Sequence, residues 1–229
     1  MSGSVVGPEL RARVRNIAIP FALAFGRLGL SPNHLTLIGF GLTVVGAVLV
    51  SQQQWLAGGV VVFVGGVFDL FDGALARATG TTSRLGAFLD SVFDKAGEIV
   101  VFLGLVTGFA FAGFREGAVL AAAAMGASIM VSYTRAKSEG LGFTPGTRMA
   151  GIGIMPREVR LVLLSVGLIL APVPIYEVPP TGAACPGVCE FPQGGLLTVV
   201  LAVIAVGATI TTIQRIVHVI RQPAKEEHE

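Results

Sequence analysis

Residues 68–95 read FDLFDGALARATGTTSRLGAFLDSVFDK. Four aspartates, Asp69, Asp72, Asp90 and Asp94, stand in a stretch that is otherwise apolar and rich in glycine. Asp69 and Asp72 are three apart and Asp90 and Asp94 four apart, so each pair occupies one helix face. The polar segment TGTTSR between the pairs predicts a turn centred near Gly80 and Thr81. Two helices folding back at that turn bring Asp72 level with Asp90, and Asp69 level with Asp94. At a rise of about 1.5 Å per residue, all four lie roughly 13–20 Å from the turn.

The surrounding chain makes this placement costly. Of 229 residues, 53% are hydrophobic and 13% charged, and the mean hydropathy is +0.78. Soluble domains carry roughly 25% charged residues. Six stretches, 35–50, 55–76, 85–112, 117–133, 159–173 and 194–217, approach the length and apolarity of a membrane span. No strand-like alternation competes with them. The expected fold is an all-α integral membrane protein. Six transmembrane helices (residues 32–221) follow an N-terminal interfacial segment (1–31), and a disordered polar tail (222–229) ends the chain.

Within the first segment, residues 8–30 carry Arg11, Arg13 and Arg15 before Ile17, Ile19, Phe21, Leu23 and Phe25. This pattern suits an amphipathic helix on the inner leaflet with arginines towards lipid phosphates. An ordinary basic flank is the plainer reading, and Pro20 is expected to kink or break the helix. Without an apolar core before Ile17, the start does not resemble a cleaved signal peptide. Ser31 and Pro32 are a natural cap and first position for the first span. Trp55, after the SQQQ turn, suits an interface anchor. In the six-span arrangement every Lys and Arg except Arg115 falls on one side, which makes that side and both termini cytoplasmic. Cys185 and Cys189 fall in the outer loop between spans five and six, where a disulfide and a pair of free thiols both fit.

An ionised carboxylate in a bilayer costs several kcal/mol, and four neighbours also repel one another. A cluster of oxygen ligands at matched depth is what hard divalent ions such as Mg²⁺ or Mn²⁺ take. Gly73, Ala76, Gly86 and Ala87 leave space for a ligand beside the acids. Arg77, two turns after Asp69, can reach a bound phosphate. The competing reading is an ion-pair network that merely joins helices. Arg77, Arg84 and Lys95 are too few to balance four aspartates and Glu98.

The pattern Asp69-x-x-Asp72-Gly73-x-x-Ala76-Arg77, eight residues, then Gly86-x-x-x-Asp90-x-x-x-Asp94 resembles the signature of the CDP-alcohol phosphotransferase family at every fixed position. The resemblance also extends to the N-terminal helix and the six spans. It implies transfer of a phosphatidyl-type group from a CDP-linked lipid, such as CDP-diacylglycerol, to an alcohol, with release of CMP. It implies two bound ions, Mg²⁺ or Mn²⁺. Asp69, Asp72 and Asp90 would be metal ligands, and Asp94 both a further ligand and the catalytic base. It also implies contacts from Asn33, Thr36, Gly73, Arg77 and Ser83 to the CDP-lipid, a cytoplasmic-facing site in the cell membrane, and a homodimer. Nothing points to nucleic acid as a partner.

Arg135, Lys137, Arg157 and Arg160 cluster at the cytoplasmic ends of spans four and five. Positive-inside charge explains them simply. A phosphate-binding pocket for the acceptor explains the three-residue spacing of Arg157 and Arg160, which places two guanidinium forks on one helix face. The motifs SYTRAKSEG and MPREVRL are similar to the subgroup that uses inositol phosphate. The segment SVFDKAGE departs from that subgroup towards the one using glycerol 3-phosphate, which is the alternative acceptor. A divalent-cation transporter is the reading from another class. Against it, the acids cluster on one hairpin, and no repeat places a second site near the midplane.

Overall fold

Ser31 has extended backbone and its hydroxyl accepts from the His34 N–H, while the His34 ring accepts from the Ser31 N–H. This reciprocal cap satisfies two amides that a helix start leaves free. The computed structural model, which describes residues 8–143, 152–171 and 195–222, begins its second helix there. The helices are α1 (Pro8–Arg27), α2 (Pro32–Ser51), α3 (Trp55–Thr79), α4 (Arg84–Phe111), α5 (Arg115–Gly140), α6 (Arg157–Leu170) and α7 (Gly195–Ile220). No strand occurs among the described residues. Cys185, Cys189, Arg148 and the polar tail from residue 223 lie outside them, as do the side chains of Arg11 and Arg15.

Among the described residues four helices, α2, α3, α5 and α7, are long and apolar enough to cross a membrane. The other two expected spans differ in kind. α4 has the length, with 28 residues, but carries Arg84, Asp90, Asp94, Lys95 and Glu98 between its start and its middle turn. α6 spans 14 described residues.

α2 packs on α3 and α4, α5 on α4 and α7, and α6 bridges α3 and α7. The α2–α3 contact is a backbone approach. A Cβ built on Gly65 would lie 2.9 Å from the Gly39 carbonyl, and one built on Gly39 would lie 3.0 Å from the Gly65 carbonyl. Small residues permit such closeness where helices pack in lipid. Further along the same pair of helices, the approach brings Thr36 to Asp72.

Phe102, Leu105, Phe109, Leu168, Leu197, Leu201 and Ile204 form the main core with Trp55. Large apolar side chains such as Leu37, Val45, Phe63, Val199 and Val206 face outward, as lipid contact requires.

Two expectations are corrected. α1 runs unbroken through Pro20. Ala18 and Ala22 are buried against Leu35, Ala74 and Leu75, and this packing holds the helix across the one hydrogen bond that proline removes. Trp55 is no interface anchor: it is 6% exposed and packs tilted against Phe109 with ring centroids 5.3 Å apart. Gly108 opposite it has no side chain, and a Cβ there would meet the indole at 2.9 Å.

Candidate active site

The turn after α3 is made by Gly80 in the left-handed region (φ 67°), which glycine adopts without steric cost. Ser83 then caps α4, its hydroxyl accepting from the Gly86 N–H at 2.9 Å. Between these ends α3 and α4 face each other across their aspartates. Oxygens of Asp69, Asp72 and Asp90 all lie within 4.8 Å of one another. Asp72 is 4% exposed and accepts from the Thr36 hydroxyl at 2.5 Å. Asp94, one turn after Asp90, stands outside this group of three. Arg157 at the start of α6 joins it to them: Nη1 donates to Asp69 at 2.8 Å, and Nη2 lies 2.5 Å from Asp94.

Two cavities meet this arrangement. The larger, about 740 Å³, is lined by Asn33, Thr36, Asp72, Gly73, Arg77, Ser83 and Asp90, and by Leu23, Gly26 and Arg27 of α1. All five residues expected to contact a CDP-lipid therefore share one groove. The N-terminus of α2, at Ser31 and Pro32, also opens into it, and such a terminus favours phosphate. The Arg77 guanidinium folds back over Gly73, 3.1 Å from where a Cβ would stand. The smaller cavity, about 60 Å³, has Asp69, Asp94, Glu98, Arg157 and Arg160 in its wall. Thr36 lines both cavities.

The four basic residues expected around an acceptor are separated by the structure. Arg157 faces the acids. Arg160 is 2% exposed and its fork is occupied: Nε and Nη2 donate to Glu98 at 2.8 and 3.2 Å, and Nη1 donates to the Met155 carbonyl at 3.0 Å. Lys95 reaches the same Glu98 carboxylate at 2.5 Å. Arg135 is exposed and paired at 2.9 Å with Glu139 on its own helix, and Lys137 is exposed beside it. The Glu98–Arg160 pair went unread in the sequence, although Glu98 is one turn after Asp94 and Arg160 one turn after Arg157. So did the groove wall that Gly26 and Arg27 of α1 provide.

Asp69, Asp72 and Asp90 suit a hard divalent cation. They supply oxygen donors from two helices, at separations that one ion or an ion pair can span. Among the described residues, Arg157 is the one cation in ion-pair contact with the four aspartates, which leaves the cluster short of positive charge.

Helical hairpin, acid cluster and groove together form one site with grouped carboxylates and a guanidinium beside a cavity. The sequence profile of the CDP-alcohol phosphatidyltransferase family matches residues 29–221, and the chain belongs to that family. Membership makes it a multi-pass membrane protein among the transferases of phospholipid biosynthesis. It is 33% identical over 221 residues, 95% of this chain and 83% of the relative, to the phosphatidylinositol phosphate synthase of Streptomyces avermitilis. It is similar also to the Mycobacterium tuberculosis phosphatidylinositol phosphate synthase with CDP-DAG bound. That structure is 30% identical, with a TM-score of 0.74 over 91% of this chain and 96% of the other. The same Mycobacterium tuberculosis enzyme in complex with manganese and citrate aligns with a TM-score of 0.73 at 29% identity, covering 90% of both chains.

Proposed function

We propose that the protein transfers the phosphatidyl-type group of a CDP-linked lipid to inositol phosphate, releasing CMP. The observation that carries this reading is the three-carboxylate group at the edge of a 740 Å³ groove, with a guanidinium from α6 on its other side. Relatives named for the same chemistry support it.

In this reading the groove binds the nucleotide end of the lipid. The start of α2, Asn33, Thr36, Gly73, Arg77 and Ser83 orient its two phosphates over the acids. Asp69, Asp72 and Asp90 would hold two divalent ions, Mg²⁺ or Mn²⁺, with Asp94 adjacent, and these would neutralise the diphosphate and the departing CMP. Asp94 accepts the proton of the acceptor hydroxyl. The hydroxyl oxygen bonds to the phosphorus that carries the lipid, and that phosphorus loses its bond to the CMP oxygen, which departs with the electron pair. Arg157 holds the phosphate of the acceptor. Arg160 supports it through the field of a fixed charge, and Arg135 and Lys137 draw the anion in from the aqueous side. α4 and α6 complete six spans, both termini and the groove lie on the cytoplasmic side of the cell membrane, and the enzyme works as a homodimer. Glycerol 3-phosphate is the alternative acceptor, because it too carries a phosphate for Arg157. Cation transport is disfavoured by an acid cluster confined to one helical hairpin.

The test is CMP release by purified protein from CDP-diacylglycerol with Mg²⁺, offered inositol phosphate, glycerol 3-phosphate, free inositol or serine. CMP is expected with inositol phosphate. Release with glycerol 3-phosphate alone would replace the acceptor, and no release with any alcohol would remove the reaction. In the same assay Arg157→Ala is expected to raise the KM of inositol phosphate about ten- to a hundredfold. That is the loss of a charged hydrogen bond of roughly 1.5–3 kcal/mol. The KM of the CDP-lipid should barely change. Arg157→Lys should recover part of the loss, since it keeps the charge without the fork.

A further inference from the structure

The four aspartates divide between the two cavities. Asp72 and Asp90 stand in the wall of the nucleotide groove, Asp69 and Asp94 in the wall of the smaller cavity. Thr36 is the one residue that the two walls share. A phosphorus held over the acids therefore has the groove on one side and the small cavity on the other. In-line displacement puts the attacking and the leaving oxygen on opposite sides of phosphorus. With CMP leaving into the groove, attack comes from the side of the small cavity.

That cavity suits a nucleophile smaller than a polyol phosphate. Its volume is about 60 Å³, and a water needs roughly 10–15 Å³ of such space, so a few waters fill it. Its deep end is closed by Val62, Val101, Phe102 and Leu164, all buried in the main core. Where it meets the acids its wall is polar. Asp94 Oδ1 is buried and accepts no hydrogen bond, its approach to Arg157 Nη2 being an ion pair out of hydrogen-bond alignment. The Thr43 hydroxyl donates to the Gly39 carbonyl at 2.9 Å, which leaves its oxygen free to accept. With Glu98 and Thr36 in the same wall, a water there has the two to four polar partners that buried water requires. The acceptor reaches the phosphorus from the mouth of the cavity, beside Arg157, and the interior is left to water.

We infer that the protein has a second activity, hydrolysis of the CDP-lipid by a water from this cavity when no acceptor is bound. This rests on the CDP-lipid lying in the groove and on Asp94 as the base. Asp94 takes one proton of the water. The water oxygen bonds to the phosphorus that carries the lipid, and that phosphorus loses its bond to the CMP oxygen, which departs with the electron pair. The products are CMP and the lipid monophosphate, which is phosphatidic acid when the substrate is CDP-diacylglycerol, and the proton on Asp94 passes to solvent. Water lacks the phosphate that Arg157 holds, so hydrolysis is expected to run about ten- to a hundredfold below transfer.

The experiment offers purified protein CDP-diacylglycerol and Mg²⁺ without any acceptor, in glycerol-free buffer made with heavy-oxygen water. CMP and phosphatidic acid are expected in equal amounts, with the label in phosphatidic acid and none in CMP. Asp94→Asn should abolish both products. Gly97→Ala adds a methyl to the cavity wall, where a Cβ stands 3.3 Å from the Thr43 methyl. It is expected to lower hydrolysis severalfold while transfer to inositol phosphate keeps its rate. Thr43→Val, nearly the same shape without the hydroxyl, should lower hydrolysis alone by about three- to tenfold, the loss of one hydrogen bond to the water. It serves as the second variant if Gly97→Ala is not recovered folded. Acceptor-free release no greater than that of Asp94→Asn, label in CMP, or equal losses of hydrolysis and transfer in the cavity variants would overturn the inference. The transfer assay separates the two levels. Transfer without acceptor-free hydrolysis removes this second activity alone, whereas hydrolysis without transfer to any alcohol removes the transferase reading and leaves hydrolysis standing.

Discussion

Asp90→Asn is expected to lower CMP release at least about a thousandfold and to weaken Mn²⁺ binding measured by calorimetry. Asp90 is the α4 member of the three-carboxylate group, facing Asp69 and Asp72 from α3. Its removal leaves the two remaining members of that group on a single face of α3. Metal stabilisation of a phosphoryl transfer is worth several kcal/mol, and each 1.36 kcal/mol is a factor of ten in rate. Asp69→Asn should behave alike, with one added consequence: Asp69 also accepts from Arg157, so this variant should disturb the acceptor as well. Asparagine preserves volume and relieves repulsion among like charges, so melting temperature should hold or rise while activity falls. Turnover like that of the unaltered protein at ordinary Mg²⁺, in either variant, would sink the metal assignment.

Asp94→Asn is expected to lose turnover by about a hundred- to ten-thousandfold, the usual contribution of a general base. It should still bind CDP-diacylglycerol and at least one metal ion. The structure motivates this separation: Asp69, Asp72 and Asp90 form a group without Asp94, which stands a turn further along against Arg157. The variant leaves Arg157 with Asp69 as its remaining carboxylate, so α6 should keep its place. Lipid-nucleotide affinity measured beside the rate decides the outcome. Substantial turnover would rule out Asp94 as the base, and loss of nucleotide binding would make it chiefly a metal ligand.

Much of the site was legible because its information is local. Acids three and four apart declare a helix face, a glycine in a polar segment declares the reversal, and Ser31 with Pro32 declares a helix start. Asn33, Thr36, Gly73, Arg77 and Ser83, carried over by family resemblance, do meet in one groove. The basic residues fared differently. Arg157 and Arg160 share a helix face, as spacing requires, yet one turns to Asp69 and Asp94 and the other to Glu98. Spacing says which residues are neighbours on a helix. It cannot say which helix lies opposite.

The amino-acid sequence by itself determined the helices, the α3–α4 hairpin, the juxtaposition of its aspartates and the family. These follow from periodicity, capping and a motif whose parts lie within 26 residues, from Asp69 to Asp94. Tertiary structure alone decided how the charges are shared. The Arg160–Glu98 contact joins residues 62 apart, Arg157–Asp69 residues 88 apart, and Arg215–Val131 residues 84 apart. The first two depend on where α6 lies against its neighbours and the third on α5 packing against α7, outcomes of close packing summed over several interfaces. A buried charge must take the partner that this packing offers, because in the membrane interior no water is there to replace it.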